Sequence, residues 1–101
     1  MKLKSLLNGI EGLKAKGNLD TDVKGITHNS KNVKEGDMFI AIKGFETDGH
    51  NYIKDAVDNG AKVIVIQEGS TIKKSDIKDD TIVISAPDTR IATSKIACNF
   101  Y

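Results

Sequence analysis

Two short polar stretches of the sequence carry side chains suited to binding a phosphate or a nucleobase. Residues 28–30 read HNS, and residues 44–50 read GFETDGH, with two glycines, two carboxylates and a histidine. Glycines let a backbone approach a ligand closely, and the N–H groups at the start of a helix attract anions. Ser30 adds a hydroxyl that both donates and accepts hydrogen bonds. Together the stretches predict a site for a diphosphate or a pyrimidine edge.

A purely structural interpretation of the same residues is the alternative. In it, Ser30 caps a turn and Asp48 caps the helix that follows, as short polar side chains commonly do where a loop meets a helix. The residue types alone favour this simpler interpretation over a ligand site.

Binding of a nucleoside triphosphate is not expected of these residues. GLKAKG at 12–17 and GFETDG at 44–49 have glycines five positions apart, as a P-loop does. The next two residues are Asn-Leu and His-Asn, whereas a P-loop requires Lys and then Ser or Thr. Without that lysine nothing reaches the terminal phosphates, so we expect no ATP site in this chain.

Metal binding and nucleophilic catalysis are equally poorly supported. The candidate metal ligands His28, Asp48, His50 and Cys98 are scattered along the chain instead of being tightly spaced. Ser30 lies two residues from His28, and on an extended segment such a pair points to opposite faces. Cys98 is expected to be a packed, buried thiol. We therefore predict no metal site and no catalytic residue in these residues.

Length and charge restrict the function further. The chain has 101 residues, which suits one domain, and 15 basic against 14 acidic residues give a net charge of +1. This balance gives no basic surface for nucleic acid or an anionic membrane, and no apolar run is long enough to span a bilayer. With a single cysteine no internal disulfide can form, which favours a reducing, cytoplasmic setting.

The two polar stretches follow apolar segments that predict an α/β fold. We expect a small single domain with a mixed, mostly parallel sheet of four to five strands flanked by helices. The predicted strands are 23–27, 38–42, 62–66 and 81–85, with a further short strand within 12–22. Because parallel strands end at one edge of a sheet, both polar stretches should emerge there, where open α/β sheets bind ligands.

Three helices are predicted from the spacing of apolar residues, over 3–10, 51–59 and from 88 onward. The residues expected on inner faces are Leu3, Leu6, Leu7 and Ile10 in the first helix, Tyr52, Ile53, Ala56 and Val57 in the second, and Ala92, Ile96 and Phe100 in the third. Gly60 should end the second helix, and Asp88 should cap the third. No terminating glycine or polar tail follows Tyr101, which suggests a piece of a longer protein.

The order of these residues resembles a known family. The succession ITHNSKNVKEGDMFIAIKGFETDGHNYIKDAVDNGAKVIVI at 26–66 is similar, without gaps, to the N-terminal domain of the Mur ligases. That pattern runs roughly [IV]-T-x-D-S-R-x-V-x-x-G-D-[LM]-F-x-A-[LIV]-x-G-x-x-x-D-G-H. The ending VISAPDTRIATSKIACNFY resembles the segment leading into the central domain in the members that add the third residue of the peptidoglycan stem peptide.

The resemblance implies a function for the whole protein. Residues 1–101 would be the UDP-substrate-binding first domain of an ATP-dependent, amide-forming ligase, with about 88–101 leading into the central domain. The ligase would join a diamino acid to UDP-N-acetylmuramoyl-L-alanyl-D-glutamate in peptidoglycan biosynthesis. ATP and Mg²⁺ would bind outside this chain, mainly in the central domain, so the chain alone would be inactive. Its partners would be the UDP-N-acetylmuramoyl dipeptide and the enzyme's own central and C-terminal domains.

The resemblance also assigns site residues. The positions that contact uridine in the family correspond here to His28, Ser30, Phe45, Glu46 and Thr47. The positions that shape the second loop correspond to Gly44, Asp48, Gly49 and His50. One departure is visible, because relatives usually read Asp-Ser-Arg where this chain has Asn29-Ser30-Lys31. Lysine in place of arginine removes a planar, bidentate group from the first loop.

Two alternatives remain open from the sequence. The sister ligase that adds the terminal D-alanyl-D-alanine shares the first-domain pattern, although the ending Asn99-Phe100-Tyr101 favours the enzyme that adds the third residue. A non-catalytic α/β interaction module without a ligand is the alternative from another class.

Overall fold

A single mixed sheet forms the centre of the fold. The structure is a computed structural model that describes residues 1–42 and 49–101. Its strands are β1 (Lys14–Lys16), β2 (Ile26–Thr27), β3 (Met38–Ile40), β4 (Val63–Gln67) and β5 (Ile82–Ala86), in the order β1-β5-β4-β3-β2. Strands β2 to β5 are parallel, and β1 pairs with β5 antiparallel. The predicted mixed, mostly parallel α/β sheet is confirmed.

Helices and short 3-10 turns connect these strands. The α-helices are α1 (Leu3–Leu6), α2 (Ile53–Asp58) and α3 (Thr89–Phe100), and the 3-10 turns are Ser30–Asn32, Gly49–Tyr52 and Lys74–Asp76. Gly60 follows the end of α2 with a φ of 113°, a left-handed conformation that glycine adopts easily. In the described part of the chain, no helix is long and apolar enough to cross a membrane.

The sheet is covered on both faces. Met38 and Ile40 of β3 point to one face, where they pack with Leu3, Leu6, Ala92 and Ile96 of α1 and α3. Phe39 and Ala41 point to the other, where they pack with Ile53, Ala56 and Val57 of α2. The unbroken apolar runs of β3 and β4 thus arise because each strand is buried from above and below.

The parallel register brings four strand ends together. Thr27 lies opposite Phe39, Ile40 opposite Val65, and Gln67 opposite Ala86. The chain therefore leaves β2, β3, β4 and β5 at one side of the sheet, which we call the carboxyl edge. Residues 28–30 of the first polar stretch follow β2 at this edge, as predicted, and Gly49 and His50 are the described residues of the second.

Two predicted burials are wrong. Tyr52 is 41% exposed, because the chain before Ile53 forms a 3-10 turn with about three residues per turn, which rotates Tyr52 away from the inner face of α2. Cys98 is also exposed. It follows the fully buried Ile96 by two positions, which is more than half a turn around an α-helix, so its thiol lies on the outer face of α3.

Candidate functional site

A cleft of about 520 Å³ lies at the carboxyl edge, between the loops that follow β2 and β3. Its described lining residues are His28, Asn29, Ser30, Lys31, Ile42, Gly49 and Tyr52. This volume is in the range that small-molecule sites in proteins occupy. The cleft brings together His28, Ser30 and Gly49 of the predicted site. Gly44, Phe45, Glu46, Thr47 and Asp48 lie outside the described residues.

The first wall of the cleft is the loop after β2. The side-chain oxygen of Asn29 accepts a hydrogen bond from the Lys31 N–H at 3.0 Å and so caps the 3-10 turn. The cap that the structural interpretation assigned to Ser30 is therefore made by Asn29. An amide oxygen accepts as a carboxylate does, so Asn29 makes this cap without a carboxylate.

Ser30 is held in place by its own main chain. It is only 7% exposed, and its carbonyl accepts a hydrogen bond from the side-chain amide of Asn59 at 2.9 Å. Asn59 directly follows α2, so this bond attaches the first wall to the end of that helix. The Ser30 side chain is thus carried on a fixed backbone in the first wall of the cleft.

The second wall begins at Gly49, where the chain returns to the end of β3. The Gly49 N–H donates to the Ile42 carbonyl at 2.8 Å. A Cβ atom at position 49 would lie 2.7 Å from the Ile42 nitrogen and 3.1 Å from the Ala41 Cα. These are main-chain atoms that cannot rotate aside, so the close approach requires glycine.

His50 lies behind this wall and holds it to the sheet. Its Nε2 accepts a hydrogen bond from the main-chain N–H of Gln67, the last residue of β4, at 3.0 Å. An accepting ring nitrogen carries no proton, so a neutral His50 has its proton on Nδ1. The ring therefore anchors the turn Gly49–Tyr52 to the carboxyl edge and is not among the described lining residues of the cleft.

A set of side chains closes the neighbouring part of the edge: Asp88, the predicted cap of α3, and Gln67 and Thr89, which no sequence pattern indicated. The Gln67 Oε1 accepts from the N–H and the hydroxyl of Thr89, at 3.1 and 3.3 Å, and its Nε2 donates to the Pro87 carbonyl. Asp88 Oδ1 accepts from the N–H groups of Arg90 and Ile91, at 2.9 and 3.3 Å. We call Gln67, Asp88 and Thr89 the α3 cap. The N–H groups of residues 89 to 91 are all engaged by it.

Charge distinguishes the cleft from its surroundings. Its described lining includes His28 and Lys31 but no carboxylate, which suits an anionic ligand. A smaller depression beside it contains Asp55 and Asp58. In the described residues, no group of three or more His, Cys, Asp or Glu side chains could hold a metal ion.

The groups with shifted pKa values belong to exposed ion pairs away from the described cleft lining. A hydrogen bond and the charge of Lys4 lower the pKa of Asp20, and those of Lys62 lower the pKa of Asp80. A hydrogen bond and the charge of Asp58 raise the pKa of Lys54. The N-terminal ammonium similarly lowers the pKa of Asp22.

Comparisons with known proteins agree on one family. Residues 22–101 match the model described as "Mur ligase family, catalytic domain". The chain is 39% identical to the UDP-N-acetylmuramoyl-L-alanyl-D-glutamate–2,6-diaminopimelate ligase of Clostridioides difficile, and 40% identical to the ligase of the same name from Caldanaerobacter subterraneus. Each comparison covers all of this chain and 20% of the relative, so the chain spans about a fifth of their length.

Solved structures give the same result at lower identity. The chain superposes on a UDP-N-acetylmuramoylalanyl-D-glutamyl-2,6-diaminopimelate–D-alanyl-D-alanyl ligase from Acinetobacter baumannii with a TM-score of 0.74. This match has 25% identity and covers 97% of this chain and 21% of that one.

Proposed function

The chain belongs to the Mur ligase family, and on this premise we propose that it is the UDP-binding first domain of a peptidoglycan ligase. The complete enzyme adds a diamino acid, as the third residue, to UDP-N-acetylmuramoyl-L-alanyl-D-glutamate in the cytoplasm. ATP and Mg²⁺ bind in domains beyond these 101 residues. This chain contributes no catalytic residue and holds the uridine diphosphate end of the substrate.

The cleft at the carboxyl edge is the observation that carries the proposal. It joins His28 and Ser30 from the first polar stretch to Gly49 from the second, around a volume that accommodates a nucleotide. Lys31 provides a cationic group for the diphosphate, and His28, Asn29 and Ser30 provide hydrogen-bonding groups for the uridine. Phe45, Glu46 and Thr47 belong to the same proposed site by family resemblance.

The domain contributes to catalysis by positioning. In an ATP-dependent ligase of this type, the substrate's glutamate carboxylate is activated and then attacked by the amine of the incoming amino acid. Binding the distant uridine diphosphate end restricts where that carboxylate can lie, which lowers the entropy cost of the reaction elsewhere in the enzyme. The cleft needs shape and hydrogen bonds for this task, not a nucleophile.

The sister ligase that adds D-alanyl-D-alanine is the second candidate. Superposition on its Acinetobacter baumannii structure favours it, but at 25% identity, against 39% for the diaminopimelate ligase of Clostridioides difficile. We therefore propose the third-residue ligase. Supplying the complete enzyme with each pair of substrates separates the two: the dipeptide substrate with diaminopimelate, or the tripeptide substrate with D-alanyl-D-alanine.

Substitution of Ser30 tests the binding role. In the complete ligase, Ser30→Ala should raise the KM for the UDP-N-acetylmuramoyl dipeptide roughly three- to tenfold, the effect of one lost hydrogen bond. Because the interaction is present in both ground and transition states, kcat should change little.

Ser94→Ala, on the exposed face of α3, is the matched control and should leave both constants unchanged. An unchanged KM in Ser30→Ala would remove Ser30 from the site. UDP titration of the 101-residue chain, followed by amide NMR, should shift the signals of residues 28–30 and 49.

A further inference from the structure

We propose that Gln67 is a positioning residue for the cleft, which links the cleft wall at Gly49–Tyr52 to the first turn of α3. This inference rests on the proposed function, because it concerns binding of the uridine diphosphate end. Gln67 itself is not among the described lining residues of the cleft and acts through His50.

The link begins at the main chain of Gln67. Its N–H donates to His50 Nε2 at 3.0 Å, and His50 belongs to the same 3-10 turn as Gly49 and Tyr52, which line the cleft. A displacement of the Gln67 backbone therefore displaces the ring that holds the wall. A rigid second wall requires a fixed Gln67.

The side chain of Gln67 joins the end of β4 to the start of α3. Its amide bonds to Pro87 and Thr89 on the far side of the β5–α3 junction, using both the oxygen and the nitrogen. Thr89 is 2% exposed. Removing the Gln67 oxygen would leave a buried N–H and hydroxyl without that acceptor, so the bond is costly to break.

Gln67 makes both the contact with His50 and the contacts with Pro87 and Thr89. A continuous series of hydrogen bonds therefore connects the cleft wall to the start of α3. A ligand that restrains Gly49 and Tyr52 also restrains His50, which lies in the same turn. Through the hydrogen bond from the Gln67 main chain to His50, it then restrains the Gln67 side-chain amide that bonds to Thr89. The wall of the cleft and the first turn of α3 should therefore become ordered together when the ligand binds.

The first test compares two side-chain amides that hold α3 at opposite ends. Gln67→Met removes the amide at its start. Asn99→Leu removes the amide that donates to the carbonyls of Leu6 and Asn8, at 2.8 and 2.9 Å, near its end. Both variants of the 101-residue chain should melt at lower temperature. Only Gln67→Met should weaken UDP binding, about three- to tenfold in an NMR titration.

Equal UDP affinity in Gln67→Met and the unsubstituted chain would overturn the positioning role while leaving the proposed function standing. Absence of any UDP response in the unsubstituted chain would overturn both. If Gln67→Met and Asn99→Leu weakened UDP binding equally, general destabilisation of the fold would explain the effect. That result would also overturn the inference.

Amide hydrogen exchange gives a second readout that needs no variant to fold. Saturating UDP should slow exchange of the Gln67 and Thr89 amides at least threefold in the unsubstituted chain. Unchanged exchange at Thr89 while residues 28–30 respond to UDP would disprove the link.

Discussion

The carboxyl edge has two halves in which parallel strands lead into helices, but the loops at these strand ends differ. On the β4–β5 half, the N–H groups at the start of α3 are engaged by Asp88 and Gln67. On the β2–β3 half, the loops instead line a cleft of about 520 Å³. A strand that ends and leads into a helix produces a closed structure in one half and an open one in the other. The two halves share a topology and differ in how the start of the following α-helix is capped.

The sequence difference behind this contrast is small. Asp88 precedes α3 and caps it with its side chain, whereas Tyr52 precedes α2 and makes no side-chain cap. Gly49 allows the second wall to approach the end of β3, where any larger residue would meet main-chain atoms. Substitutions at these positions should therefore change one half without the other.

Breaking the open half should have the largest effect on stability. Gly49→Ala places a Cβ atom 2.7 Å from the Ile42 nitrogen, and we expect it to lower the free energy of unfolding by about 3 kcal/mol. Urea denaturation measures this loss, and the UDP response of residues 28–30 should weaken with it.

Gly69→Ala is the matched control for Gly49→Ala. Gly69 has a φ of 88° but no heavy atom within 4 Å of an added Cβ, so only backbone strain of about 1 kcal/mol is expected. If the two substitutions destabilised the chain equally, the close approach at Gly49 would not be what shapes the second wall.

Removing the cap of α3 in the closed half should have a smaller effect on stability, and it should create a site for anions. Asp88→Ala removes the side-chain cap of α3 and should lower the free energy of unfolding by about 1 kcal/mol. It also releases the N–H groups of Arg90 and Ile91, so millimolar phosphate should shift their amide signals in the variant.

Asp88→Asn keeps an oxygen acceptor and serves as the control, with stability near that of the unsubstituted chain and no phosphate response. Phosphate shifts at residues 90 and 91 in the unsubstituted chain would mean that capping does not close this half.

The opposite, amino side of the sheet should show the smallest effect. There Lys62, just before β4, contacts Asp80, before β5, at 2.7 Å and lowers the Asp80 pKa below its ordinary value of 3.8. Because the folded pKa is the lower one, the stabilisation is complete above pH 3.8 and is lost as the pH falls through the folded pKa. Lys62→Met should abolish that part of the acid dependence in urea denaturation.

The Asp80 side chain is 69% exposed and that of Lys62 39%, so solvent screens the pair and the change should be smaller than that of Asp88→Ala. An acid dependence identical in Lys62→Met and the unsubstituted chain would show that the pair contributes no measurable stability.

Much of the fold follows from the sequence, because its apolar runs are long enough to be buried on both faces. Met38–Ile40 and Val63–Gln67 lie within or next to the predicted strands, and Asp88 caps α3 as its residue type predicts. The resemblance to the Mur ligases agrees with the family match. Assignment of individual site residues to a ligand stays a prediction.

The features that the sequence did not reveal depend on contacts between distant residues. Gln67 precedes Thr89 by 22 positions, and no local pattern marks it as the centre of a cap. Tyr52 was predicted inward because an α-helix was assumed to begin before it, whereas the chain first makes a 3-10 turn. Cys98 could have been placed correctly, since its spacing from Ile96 already puts it on the outer face of α3.

The short antiparallel strand β1 affects whether copies of this protein associate at high concentration. Strands at the rim of a sheet can recruit strands of other molecules and so start aggregation. Here β1 has three residues, two of them lysine, and β2 at the other rim has two. An added strand would gain few hydrogen bonds at either rim, and at β1 it would bring its own backbone against two ammonium groups. The molecule should therefore remain dispersed at high concentration.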